Sequence, residues 1–566
     1  MYSDKKTILQ TVALLRSCHI KEVVLCPGSR NAPIVQTFSA CPDLNCYAVT
    51  DERSAGFFAI GRALQTGEPA VVCCTSGSAL LNLHPAVCEA FYQKIPLIVI
   101  SADRPAAWIG QMDGQTLPQP DVFGTLVKKS VNLPEIHTEE DEWYVNRLIN
   151  EALLEMNHHG YGPVHINIPL SEPLFRFTEE ELPQVRRIIR LNVSGHRKET
   201  LNFLKESLSH YQRCMLITGQ LTKQEAETIA NLVPTDKMVW LSELLGNNPS
   251  TRNSLRQFDT LLYAVSDNEL ETLRPELVIT VGGHIVSKRL KKFLRNTKSL
   301  VHWHISPDGQ PADLFCKLDK IFECSSAEFF RLVSEAEPTS SPNYPKLWHD
   351  MCDSLIQPEV DYSELTAVRR VLDALPSPST LHLANSSSVR LAELFALPEG
   401  VTVQCNRGVN GIEGSMSAAT GYAVNSDELN VLLIGDLSFF YDMNALWNGH
   451  VSKNLRIVVL NNGAGAIFHV LPGLKMSEQI NRFVAAGHQA SAEGWACSRG
   501  FTYLKATDTL SLQQAIQSLY DSNSDAPVLL EIFTDAQTDA TEQRHYYHQI
   551  KEEWQKRPVI TPNHPI

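Results

Sequence analysis

Asn430–Phe468 reads NVLLIGDLSFFYDMNALWNGHVSKNLRIVVLNNGAGAIF. It holds two short apolar runs, NVLLIG and LRIVVL, each closed by polar turn residues, which is the pattern of strands buried in a parallel sheet. The first ends in Gly435-Asp436. The second ends in Asn461-Asn462, 25 and 26 residues after Asp436. Neighbouring strands with these ends bring a carboxylate, an amide oxygen and a free carbonyl to one place. Hard oxygen donors in that number suit Mg²⁺, which completes its octahedron with phosphate oxygens and water. A second reading stays open, in which Asp436 caps the next helix and the asparagines make an ordinary turn.

The same alternation of short strands and helical patterns extends outward in both directions. STLHLANSSS and APVLLEIF are further strands of this C-terminal unit. EVVLCPGS, AVVCCTSGS, PLIVISADRP and PVHINIPL are strands of an N-terminal unit; CMLITGQL, MVWLSEL, ELVITVGGH and SLVHWHIS are strands of a middle one. Strands alternating with helices imply parallel α/β sheets, with ligands met at the carboxyl ends of the strands. The charged stretch FTEEELPQVRRIIRLNVSG, near residues 180 to 195, reads as one linker, and the Pro/Ser-rich SEAEPTSSPNYPKL closes the middle unit near residue 345. The expected domains are residues 1–185, 186–345 and 346–566. The three units are alike in kind, with no visible repeat in sequence.

A length of 566 residues at 43% hydrophobic supports about three or four domains of ordinary size. The formal charge of −14 excludes a broad phosphate-binding face, so nucleic acid and anionic membrane are not expected partners. Any anionic ligand must be met by a few local arginines. The 13 cysteines form no CxxC and no zinc-like cluster with histidine, so reduced thiols in a cytoplasmic protein are expected. MYSDKKTILQTVALLRSC has helical apolar spacing without a small-residue cleavage site, which argues against a signal peptide. No apolar run reaches membrane-spanning length.

The Gly-Asp to Asn-Asn spacing resembles the signature of thiamine-diphosphate enzymes. The resemblance implies three doubly wound parallel-sheet α/β domains of the thiamine-diphosphate-enzyme type. It makes Asp436, the side chain of Asn462 and the carbonyl of Ala464 ligands of Mg²⁺, with Mn²⁺ an alternative. Gly435, Leu437, Ile467 and Phe468 join these as cofactor contacts, the last two as a wall beside the thiazolium. The chain departs from the usual Gly-Asp-Gly with Gly435-Asp436-Leu437, and Ala464 and Ala466 stand where glycine and a polar residue are frequent. The matching glutamate is Glu52 in TDERSAGFFAIG, which by resemblance hydrogen-bonds the aminopyrimidine ring. The plain alternative is an acid favoured by the dipole at a helix start. Residues 1–185 then bind the pyrimidine and 346–566 the diphosphate and metal. Because such domains come from different subunits, a homodimer or dimer of dimers follows. VGGH is the sole glycine cluster of the middle unit, too weak a motif for a flavin.

PGSRNAP, TDERSAGFFAIG, TSGSALLNLHPAV, SADRP, NSSSVRL, NRGVNGIEGSMSAATG and NNGAGAIFHVLP together resemble the 2-succinyl-5-enolpyruvyl-6-hydroxy-3-cyclohexene-1-carboxylate synthase family. The resemblance implies decarboxylation of 2-oxoglutarate and addition of the remaining succinyl-semialdehyde unit to isochorismate, in menaquinone biosynthesis. Both substrates are dicarboxylates, which planar arginines hold in two-point fashion. By resemblance Arg30, Arg104, Arg390 and Arg407 bind substrate carboxylates, with Ser29 and Ser386 as hydroxyl partners. Gln115 matches an active-site glutamine and Lys288 a basic position from the middle domain. Each has an ordinary alternative: interdomain salt bridges for the arginines, a connecting loop for Gln115, a solvated lysine for Lys288, core packing for Ile467 and Phe468. Two other functions compete: a different thiamine-diphosphate lyase, which needs fewer arginines, and a non-catalytic cofactor-binding protein, which has no need of Glu52.

Overall fold

Apolar runs of four to seven residues become strands, and the amphipathic stretches between them cross back as helices. The computed structural model describes residues 1–191, 197–248, 254–470, 473–521 and 524–557. Its 17 strands form three sheets, parallel throughout. The first contains β1 (Glu22–Leu25), β2 (Asn45–Ala48), β3 (Ala70–Cys74), β4 (Leu97–Asp103), β5 (Lys129–Asn132) and β6 (Val164–Pro169), in the order β2-β1-β3-β4-β6-β5. The second contains β7 (Cys214–Thr218), β8 (Met238–Ser242), β9 (Leu277–Val281), β10 (Val301–Ile305) and β11 (Leu318–Phe322), ordered β11-β10-β9-β7-β8. The third contains β12 (Ser379–Leu383), β13 (Val401–Cys405), β14 (Leu429–Gly435), β15 (Leu455–Asn461), β16 (Thr502–Ala506) and β17 (Val528–Phe533), ordered β13-β12-β14-β15-β17-β16.

Counted from their own first strands, the first and last sheets have the same order. Their sequences hide this identity because it lies in topology, not in residue type. The linker read over residues 180 to 195 packs at its start on the N-terminal unit, where Asn150 Oδ1 accepts from Ile188 N at 2.8 Å; its end, 192–195, lies outside the described residues. Helix Asn343–Asp353 runs across residue 345, and Tyr344 donates from its hydroxyl to Leu273 O at 2.8 Å. We therefore propose that the middle unit extends past this helix, to about residue 355, rather than closing at residue 345.

The N- and C-terminal units meet through two helices, Glu52–Thr66 and Ser415–Ala423, packed backbone to backbone. A Cβ on Gly61 would stand 2.0 Å from Ala418 O, and one on Gly421 would stand 2.2 Å from Phe58 O. Each glycine thus admits the other helix, and no side chain at either position leaves the approach intact. Beside them the buried Arg62 pairs with Glu22 at 2.8 Å and donates to Gly421 O at 3.2 Å, carrying a charge-assisted bond across the same seam. Gly61→Ala or Gly421→Ala is expected to cost at least about 1–3 kcal/mol, since neither backbone can yield. Chemical denaturation of each variant beside the parent protein measures it.

Candidate active site

In parallel sheets the loops after the strands' carboxyl ends are where ligands meet the chain. In the first sheet they carry Ser29 and Arg30 after β1, Glu52 after β2 and Arg104 after β4. The helix opening at Glu52 is capped by its neighbour: Asp51 Oδ1 accepts from Arg53 N at 2.9 Å and Ser54 N at 3.2 Å. Asp51 Oδ2 also accepts from Asn444 Nδ2 of the C-terminal unit at 2.8 Å. Asp51 thus caps this helix, while Glu52 lies in its first turn, where the dipole alternative also places an acid. Glu52 accepts one hydrogen bond, from Asn82 Nδ2 at 3.2 Å, and stays partly exposed.

Arg30 is buried, donates to Leu170 O at 2.9 Å and faces Glu172 at 3.2 Å. Burial and then the charge of Arg104 pull its guanidinium below the ordinary value, which marks the two arginines as neighbours. Arg104 Nε donates to Gly114 O at 2.9 Å and lies 3.1 Å from Asp113, so it fastens the loop that bears Gln115. Gln115 sits at φ +55°, exposed, its carbonyl accepting from Ser76 Oγ at 2.9 Å. The glutamine inside that loop is Gln119, which sequence reasoning passed over. It is fully buried, accepts from Gly77 N at 2.8 Å and donates to Asn167 Oδ1 at 2.8 Å. Ser29 is exposed beside Arg30.

In the third sheet β14 and β15 are neighbours, with Gly435 opposite Leu460. Asp436 is buried and ties the two strand ends: Oδ1 accepts from Leu437 N at 2.6 Å and Oδ2 from Gly463 N at 2.9 Å. Gly435 is the N-cap of helix Asp436–Tyr441, and Asp436 satisfies one first-turn amide of that helix through Leu437 N, so the capping alternative stands beside the metal reading. The turn alternative holds alongside: Asn461 Oδ1 accepts from Gly463 N and Asn462 Oδ1 from Ala464 N, both at 3.2 Å, with Gly463 at φ +76°. The asparagines divide the work. Asn461 donates to the buried Glu531 at 2.7 Å and locks the strand end, while Asn462 stays partly exposed. Burial raises the Asp436 carboxyl above its usual range against its backbone donors and His488, 3.3 Å from Oδ2. A buried carboxylate beside an amide oxygen and a turn carbonyl is the donor set a hard divalent cation neutralises. The residues present fit such an ion. Phe468 packs on the cluster of Ala464, Ala466, Ala485 and Ala536, and Ile467 remains half-buried.

Ser386 follows β12 and takes φ +72°, a conformation L-residues rarely adopt, at the head of helix Ser387–Ala392 with no capping bond from its side chain. Such strain persists where a site requires it. Arg407 is buried after β13 and donates to Asn385 Oδ1 at 2.8 Å; Asn385 in turn donates to Asn406 O and Gly411 O, each at 2.7 Å. From the N-terminal unit, Glu89 accepts Gly408 N at 2.7 Å and Val409 N at 2.9 Å. The Nε atoms of Arg390 and Arg407 are both buried without a hydrogen-bond partner. Burial and then the Arg407 charge hold Arg390 below its ordinary value. Arg390 and Arg407 are thus neighbouring cations whose Nε donors have no partner. Lys288 is exposed at the start of its helix; Lys291, one turn on, is the lysine lowered by burial and by the charges of both arginines. Asn385 opens the NSSSVRL block and was within reach of sequence reasoning, whereas Glu89 is a lone acid on a helix and gave no signal.

Residues 8–124 match the family model described as the N-terminal TPP binding domain of thiamine pyrophosphate enzymes, and residues 192–383 the model described as the middle domain of thiamine pyrophosphate. A 2-succinyl-5-enolpyruvyl-6-hydroxy-3-cyclohexene-1-carboxylate synthase of Bacteroides fragilis is 56% identical over 97% of this chain and 100% of its own. The chain belongs to this synthase family. The synthase of Phocaeicola vulgatus is 53% identical over 97% of the chain and 99% of its own, and that of Flavobacterium johnsoniae 38% identical over 91% and 93%. This member of the synthase family is thus a thiamine-diphosphate-dependent enzyme of the transferase type, built on three parallel-sheet α/β domains. No helix among the described residues is long and apolar enough to cross a membrane.

Next to the metal motif, the fully buried Asp442 accepts from Ser417 N at 2.7 Å and Ser417 Oγ at 2.8 Å, and burial pushes its carboxyl up to about 6. A folded-state value above the unfolded one makes its stabilising share complete at low pH and lost as pH rises through about 6. The stability difference between parent and Asp442→Asn should therefore shift in the variant's favour by the order of 1–3 kcal/mol between pH 4 and 7. Denaturation at a series of pH values checks the sign; a difference constant across that window contradicts it.

Proposed function

We propose that this chain catalyses loss of CO2 from 2-oxoglutarate and addition of the remaining succinyl-semialdehyde unit to isochorismate, giving 2-succinyl-5-enolpyruvyl-6-hydroxy-3-cyclohexene-1-carboxylate for menaquinone biosynthesis. The observation that carries the reading is the pair Arg390 and Arg407, held together with buried Nε donors unfilled beside the strained Ser386. Both substrates are dicarboxylates, and a protein of net charge −14 needs such a local reversal of sign to hold them. Thiamine diphosphate, when bound, supplies the electron sink for loss of CO2 from a 2-oxo acid. Asp436, Asn462 Oδ1 and the Ala464 carbonyl would hold Mg²⁺, or Mn²⁺, against its diphosphate, with Gly435 and Leu437 lining the approach.

Glu52, released from capping by Asp51, holds and moves a proton at a ring nitrogen of the aminopyrimidine. Ser386, Arg390 and Arg407 orient 2-oxoglutarate by its distal carboxylate. Ser29, Arg30, Arg104 and Gln115 orient isochorismate, and Lys288 adds positive charge from the middle domain. Ile467 and Phe468 give the reacting centre an apolar wall. The side-chain hydrogen bond of Glu52 stays within its own unit, as do those of Asp436. Leu81 of the N-terminal unit and Val409, Ile412, Tyr441 and Trp447 of the C-terminal unit are exposed apolar side chains. These features support a site completed between subunits, in a homodimer or dimer of dimers working in the cytoplasm.

The test is the ultraviolet loss of isochorismate with protein, thiamine diphosphate and Mg²⁺, with 2-oxoglutarate present, absent, or replaced by pyruvate. Loss that requires 2-oxoglutarate is expected; loss with pyruvate alone moves the chain to another 2-oxo acid. Glu52→Gln is expected to keep cofactor binding while turnover falls by about 100-fold or more. Unchanged turnover removes Glu52 from the chemistry.

A further inference from the structure

The proposed 2-oxoglutarate station draws cations from two domains. Arg390 lies on the helix after β12, while Lys288 and Lys291 lie on helix Lys288–Arg295 after β9. Something has to fix the distance between these helices if one carboxylate is to be read by both.

Glu243 directly follows β8 and is buried. Its two oxygens accept from Val286 N and Ser287 N, each at 2.6 Å, the last two amides before the Lys288 helix. The next residue along, Leu244, donates its N–H to Glu393 Oε2 at 2.9 Å. Glu393 ends the helix that carries Arg390, three residues on. The chain of contacts is continuous: lysine helix, Glu243, Leu244, Glu393, arginine helix. Asp259 braces the same helix start, accepting from Ser287 Oγ and pairing with Arg289.

Neither carboxylate is placed there for stability alone. Glu243 is fully enclosed, and burial pushes it up to about 7, against its two backbone donors. Burial and the Glu243 charge raise Glu393 as well, and its Oε1 is buried with no hydrogen-bond partner. The enclosed Glu243 and the half-buried Glu393, with its Oε1 out of solvent, are thus held at a cost in solvation, which an apolar pair of the same size avoids. What they provide is geometry. Two short charge-assisted bonds to consecutive amides fix both position and direction of the Lys288 helix start.

We propose that Glu243 and Glu393 are positioning residues that set Lys288 and Lys291 in register with Arg390, and so determine the preference for a 2-oxo acid with a distal carboxylate. This inference rests on the proposed reaction, and the readout separates the two. It is the ratio of kcat/KM for 2-oxoglutarate to kcat/KM for 2-oxobutyrate, which lacks the second carboxylate, with decarboxylation followed in the holoenzyme. A parent protein that does not favour 2-oxoglutarate overturns the reaction itself. If the parent favours it, Glu243→Gln, which sets an amide N–H against a backbone N–H, should lower the ratio by about tenfold or more, through KM for 2-oxoglutarate. The 2-oxobutyrate rate and kcat should move less than about threefold.

Loss of general structure lowers both substrates together and leaves the ratio unchanged, which overturns the proposal. Glu393→Gln keeps one acceptor oxygen and serves as the second variant, expected to shift the ratio in the same direction. Should Glu243→Gln not fold, an unchanged ratio in Glu393→Gln decides against the proposal.

Discussion

Everything in this molecule hangs on the distance between two backbones. Where helix Glu52–Thr66 meets helix Ser415–Ala423, glycines 61 and 421 each admit the other helix's peptide groups. The helix pinned there begins at Glu52, and the other runs from the loop that follows Arg407. The acid proposed for proton transfer and an arginine proposed for substrate binding are therefore placed by one contact made of the absence of side chains. Arg62, Asp51 and Asn444 add directed bonds along the same seam, so the two units are located in angle as well as distance.

Charge is used sparingly and locally. The protein is acidic as a whole, yet burial and the charge of Arg407 lower Arg390, and burial with the charges of both arginines lowers Lys291. Like charges brought this close repel, and under the proposed binding of a carboxylate here that repulsion would be relieved. The acids nearby, Glu243 and Glu393, are occupied by backbone amides rather than by the guanidinium groups.

Much of this was legible in the sequence, and the rest was hidden for identifiable reasons. All twelve strands read from apolar runs are strands of the three sheets. The others, β2, β5, β11, β13 and β16, lie at sheet edges. Edge strands have one neighbour and more solvent, so residues such as those of Leu318–Phe322 lack the continuous hydrophobicity that reveals a central strand. The paired strand ends at Gly435-Asp436 and Asn461-Asn462 were legible because strand ends impose residue type. Asp51, Gln119 and Glu89 were not, because their work is to hold backbone amides or loops that spacing alone does not locate. Lys288 was singled out while Lys291 was missed, since both are lysines of one helix and only packing tells which senses the arginines.

The first and last sheets wind their strands in the same order, and a consequence follows for how the enzyme handles two acidic partners. In each, the crossover leaving the founding strand bears a serine and an arginine: Ser29 and Arg30 in one, Ser386 and Arg390 in the other. Under the proposed substrate roles of these pairs, one recognition problem would be solved twice at equivalent stations of a pseudo-symmetric frame. Donor and acceptor selectivity then reside in decoration, and either can drift through side-chain replacement while the scaffold beneath both stays unaltered.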